Sequence, residues 1–228
     1  MANSDESNGE QWLRHIRQLQ AYCNLDLGIC AIHKIPSILV WDNPERQPAQ
    51  LTISSSGQPL TMWIVGHIAC ASFTTPRGNH REHVHINICP LAMSDQVSAR
   101  KLLRHVGYTM AIPGTSYVAA TINQHFHVLG SHCGIFRPFD CAWDGRDGLM
   151  AKDYMPRYDA CKLKENDMVL LELEVVKYKP TINTTYCTFH EGMKPWFELQ
   201  HVILLQSAPG AAALPSNACP SDTTDITI

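Results

Sequence analysis

The sequence predicts an α+β, mainly-β fold: a curled antiparallel sheet or partly open barrel with two flanking helices. Three observations predict it. Most apolar runs are short or alternate with period two, as half-buried strands do. The run Leu60 to Phe73 is apolar on both faces and carries Gly66 near its centre, which suits a long strand that bends. Only two stretches repeat at helical spacing, one near the start of the chain and one inside the strand series.

The chain has 228 residues, of which 45% are apolar and 17% charged. That is a globular composition, long enough to bury a sizeable core. We read residues 9–207 as one domain, between a flexible N-terminus over 1–8 and an Ala/Pro/Ser/Thr-rich flexible tail over 208–228. The N-terminus lacks the pattern of a secretory signal, and no apolar run approaches the roughly 18 residues that span a bilayer. The expectation is no membrane and a cytoplasmic or nuclear location. Nine cysteines, an odd number with no C-x-x-C, predict buried reduced thiols rather than a zinc-finger framework.

The first helix is expected over Gly9–Asn24, with Trp12, Ile16, Leu19 and Cys23 as its stripe and Ser7 or Asn8 as its cap. Short strands follow at 37–41 and 51–54, each closed by turn residues. In the long strand, Met62, Ile64, Ile68 and Cys70 share one face, and Trp63, Val65, Ala69 and Phe73 the other. A polar loop, 74–81, carries Arg77 and Arg81 into a strand over His83–Cys89. A second helix is predicted over Ser94–Val106, capped by Ser94 and ended by Gly107. Its apolar side is Ala99, Leu102, Leu103 and Val106; its basic side is Arg100, Lys101 and Arg104. Residues 116–129 read as a strand or hairpin and 135–139 as a short strand. Residues 139–166 have no period, and a loop of that length is often functional. Two alternating strands close the fold: 167–178, with Glu172 and Glu174 facing solvent, and 196–206, with Phe197, Leu199, Ile203 and Leu205 facing the core. Because a helix interrupts the strand series, the preferred architecture is the oligonucleotide-binding type of barrel.

Two constellations carry chemistry. His83-Val84-His85 and His125-Phe126-His127 each place two imidazoles on one strand face. If the strands are neighbours, the four would hold a divalent metal, zinc or manganese. His83 to Ile88 followed by a helix resembles the His-hydrophobic-His motif of rolling-circle nucleases and small single-strand transposases. The resemblance implies His83 and His85 as ligands to a metal on the scissile phosphate. It also implies a tyrosine nucleophile on a later helix, Tyr154 or Tyr158.

The second constellation is basic. Arg77, Arg81, Arg100 and Arg104, interleaved with aromatics such as Trp63, Tyr117 and Trp143, suit single-stranded nucleic acid, with charge on phosphate and rings on bases. The net charge of −3 and pI near 6.4 argue against a strongly basic binder and leave room for a local basic groove. Asp140, Asp144, Asp147, Asp153 and Asp159 match no calcium loop and read as turn formers. There is no phosphate-binding Gly-rich loop, no G-x-G-x-x-G and no nucleophile elbow. The leading expectation is a non-enzymatic domain that binds single-stranded nucleic acid. The alternatives are a metal-dependent enzyme, a nuclease on the histidine pairs, and an assembly subunit with a protein partner or a homo-oligomer whose low charge content reflects a buried interface.

Overall fold

Pairing between long strands dominates the molecule. The computed structural model describes residues 3–42, 49–108, 116–123, 125–126, 135–136, 138–177 and 195–209. Helix α1 (Asn3–Ala21) leads into β1 (Cys23–Asn24), β2 (Ile29–Ala31), β3 (Leu39–Trp41), β4 (Ala49–Ile53), β5 (Thr61–Thr74) and β6 (His80–Pro90). Helix α2 (Met93–His105) precedes β7 (Val118–Asn123), β8 (His125–Phe126), β9 (Ile135–Phe136), β10 (Ala142–Asp144), β11 (Met168–Lys177) and β12 (Pro195–Gln206). The fold is mainly β, with two α-helices among the described residues.

The sheet is mixed rather than antiparallel throughout. β7 and β10 run parallel to β12, and β2 runs parallel to β5. Parallel neighbours need a long crossover, and residues 124–194 supply one between β7 and β12. The register can be followed from strand to strand. Ser72 lies opposite His85, His85 opposite Thr121, Thr121 beside Glu198, Glu198 opposite Glu174, and Glu174 opposite Thr61. That path returns to β5 eleven residues upstream of where it left.

Inward side chains of these five strands form the main core, which includes Met62, Ile64, Ile86, Leu171, Leu173 and Leu199. A second core covers the outer surface of β11 and β12. There α1 contributes Ile16 and Leu19, and the segment around β10 contributes Trp143 and Met155 over Leu170 and Ile203. Glu172 therefore lies under cover, 5% exposed, and does not face solvent as its alternation predicts.

Two bulges reset strand phase. On β5, Ala69 is an extra residue between Ile68 and Cys70, so Phe73 joins the main core instead of the opposite face. On β12, Gln200 is extra between Leu199 and His201, so Val202 and Leu204 turn inward and Ile203 and Leu205 outward. A one-residue slip exchanges the two faces of a strand.

The helices differ from expectation at their ends. α1 begins at Asn3, which places Ser7 and Asn8 inside the helix rather than at its cap. It stops at Ala21 because the chain turns into the β1–β2 hairpin, where Cys23 and Cys30 lie opposite each other with their sulfurs bonded. Of the described free cysteines, Cys89 and Cys161 are exposed and Cys70 and Cys141 half-buried. None of these four is fully buried: strand phase and loop position turn Cys89 and Cys161 outward, while Cys141 packs at the margin of both cores. α2 is preceded by Ala92, whose side chain makes no cap bond, and Ser94 lies within the first turn. Gly107, at φ 103°, ends α2 as expected, in a conformation that favours glycine.

Candidate functional site

Alternation along β6 buries Val84, Ile86 and Ile88 and turns Arg81, His83, His85 and Asn87 outward. His83 is exposed; His85 is half-buried. Burial, and then the charge of Arg81, push the His85 imidazole below its ordinary range. It therefore acts as a neutral donor or acceptor near pH 7. Cys70 Sγ lies 4.0 Å from His85 Nε2, and Asn87 Nδ2 donates to Cys70 Sγ at 3.2 Å. β7 ends on Asn123, opposite His83, and β8, which pairs with β9 in a separate two-stranded sheet, begins at His125. His127 lies outside the described residues. Among the described residues, no group of three or more His, Cys, Asp or Glu is placed to hold a metal.

The predicted basic residues separate. Arg77 is exposed in the turn between β5 and β6, while Arg81 Nε donates to the Thr74 carbonyl at 3.0 Å. Arg100 and Arg104 lie one turn apart on α2, with Arg104 exposed. Trp63 stacks on Tyr22, ring centroids 4.6 Å apart, and packs against the second core, so its ring is engaged by the protein.

Arg100 lines a cleft of about 320 Å³ between α2 and the outer surface of β6, β7 and β12. Asn87 and Thr121 form polar points on its wall, and Tyr108, Tyr117 and Trp196 supply rings. Tyr117 is 47% exposed. Two residues along β12 from Trp196, Glu198 faces Glu174 across the pair. Burial pushes the Glu198 carboxyl up against a partly opposing hydrogen bond from Gln200. Sequence reasoning missed Tyr108 and Trp196. They come from the end of α2 and the start of β12, and only the β7–β12 pairing brings them to one cleft.

A second constellation was also invisible in the sequence. Lys152 Nζ lies 2.5 Å from Glu172 Oε2 and 2.8 Å from His201 Nδ1, and His201 Nδ1 is 2.6 Å from the same Glu172 oxygen. Burial raises the Glu172 carboxyl, but hydrogen bonds from His201 and Lys152 outweigh it and hold the group below the usual glutamate range. Trp143 meets His201 edge-on at 4.8 Å, and Arg157 lies over the Trp143 ring at 4.4 Å. This cluster pins the 139–166 segment to the sheet.

Two aspartates of that segment, Asp144 and Asp159, serve its arginine and its backbone. Asp144 accepts from Arg146, and Asp159 accepts from the Cys161 amide. Tyr154 lies in a turn and Tyr158 in chain without regular structure, so neither sits on the α-helix that the nuclease resemblance implies. Among the described residues, no helix is long and apolar enough to cross a membrane. Comparison with known protein families, curated proteins and solved structures gives no match to this chain.

Proposed function

We propose that this chain is a binding domain for single-stranded nucleic acid, built on an oligonucleotide-binding-type barrel, with the cleft beside α2 as its base site. The observation that carries the reading is the lining of that cleft. Three aromatic rings, a guanidinium, an amide and a hydroxyl converge on a space of about 320 Å³. Rings take bases by stacking, a guanidinium takes phosphate or stacks, and Asn and Thr read base edges. The register path that returns to β5 with an offset of eleven residues supports the barrel, since closing a sheet requires such a stagger. Arg104 on α2 and the outward row His83, His85 and Asn87 extend the same surface. Trp196 takes the aromatic role that the sequence had given to Trp63.

The test is anisotropy of a labelled oligodeoxythymidine of ~12 nucleotides, at about 50 mM salt, with and without chelator. Saturable binding is expected, weakened about tenfold or more by Trp196→Ala or Arg100→Ala, since one base stack contributes about 1–3 kcal/mol. No binding at low salt sinks the reading. Binding that vanishes with chelator transfers it to the metal alternative on His83 and His85.

A further inference from the structure

On its other flank, α2 borders a second groove, of about 420 Å³, shared with the segment from Ile32 to Leu39. Ile35, Leu39 and Leu102 give it an apolar floor, and His33, Ser98, Lys101 and His105 a polar wall. Two features make this wall a built arrangement. Asp95, 1% exposed, places Oδ1 2.5 Å from His33 Nδ1. A carboxylate shielded from water that holds one ring nitrogen fixes the imidazole and leaves Nε2 for an occupant of the groove. Lys101 and His105, four residues apart on one helix face, have no carboxylate within ion-pair distance among the described residues.

We propose that this groove binds a terminal phosphate monoester. The phosphate sits between Lys101, His105 and His33 Nε2, with its apolar body on Ile35, Leu39 and Leu102. Donor count selects the ligand class. Lys101 and the rings of His105 and His33 line the polar wall, and a terminal monoester presents three free oxygens to them. A bridging diester presents two and matches this wall less well. The phosphate site is separate from the cleft on the other flank, while the choice of nucleotides as its ligands rests on the nucleic-acid reading proposed above. Its ligand has two sources, a free mononucleotide or the 5′-phosphorylated end of a strand.

Titration calorimetry on the full chain tests it with adenosine 5′-monophosphate, adenosine, and one short oligonucleotide carrying either a 5′-phosphate or a 5′-hydroxyl. The monophosphate is expected to bind and adenosine to bind at least about tenfold more weakly, as loss of charge-assisted hydrogen bonds predicts. Lys101→Met is expected to weaken the monophosphate about tenfold or more. Asp95→Asn is expected to weaken it several-fold through the released His33 ring, and His33→Gln replaces that variant if it does not fold. A preference for the 5′-phosphorylated strand over both the 5′-hydroxyl strand and the free monophosphate assigns a strand end; binding of the free monophosphate alone assigns a nucleotide. Equal binding of adenosine and its monophosphate, indifference to Lys101→Met, or no binding of any phosphate overturns the proposal.

Discussion

Gly66 sets how closely β5 and β6 approach. A Cβ built there would lie 2.5 Å from the Cys89 carbonyl oxygen and 3.0 Å from Pro90 Cα, both backbone atoms that cannot swing aside. Gly66→Ala is therefore expected to cost about 1–3 kcal/mol, read as a lower urea midpoint at constant m-value. An unchanged midpoint would mean the strands separate freely at this point. Glu172 makes the other residue-scale case. Its carboxyl titrates lower folded than unfolded, so its stabilising effect is present above the ordinary glutamate range and is lost as pH falls through the folded value. Its partners, His201 and Lys152, are 27% and 35% exposed on their side chains, so the contribution is well short of that of a fully buried pair. Glu172→Gln should destabilise the protein at pH 7, and the gap to the unsubstituted protein should narrow as pH falls below the ordinary glutamate range. Parallel denaturation curves at neutral and acid pH check this, and a gap that widens in acid would contradict it.

At the element scale, the bulges explain which parts of the fold could be read from the chain. The strands at 83–89 and 167–178 and both helices were legible because each keeps one period along its length. Phe73, Ile203 and Leu205 were assigned to the wrong faces because Ala69 and Gln200 shift the phase within their strands. An extra residue that leaves both faces apolar carries no local signal. The β1–β2 hairpin went unread for a related reason: strands of two and three residues are too short to show alternation. The bulge reading makes a register prediction. Deleting Gln200 leaves Phe197, Leu199, Val202 and Leu204 on one continuous inward face, so the fold should survive at a cost of about 1–2 kcal/mol. Circular dichroism and a cooperative melt check it. A deletion that unfolds the chain would show that the bend at Gln200, and not the facing of side chains, holds β12 in place.

At the scale of the whole molecule, charge is segregated. The chain carries 21 acidic and 18 basic residues, which by itself disfavours an anionic partner. Yet α2 holds Arg100, Lys101 and Arg104 against one acid, Asp95, and that acid is buried against His33. Average charge therefore hid a local cationic surface. The basic side of the helix was legible in the sequence; the aromatic rings of the cleft were not, since they depend on long-range pairing. If nucleic acid lies on this surface, two classes of variant must separate. Each phosphate neutralised on a single strand contributes about 0.7 to the slope of log K against log salt. Arg104→Ala should lower that slope by about 0.7, and Arg100→Ala with Arg104→Ala by about 1.4. Trp196→Ala should lower affinity at every salt concentration and leave the slope unchanged, because stacking releases no counter-ions. Titrations between about 50 and 200 mM salt distinguish the two. A slope indifferent to both arginines would move the phosphate path off α2, whatever the affinity of the cleft for a base.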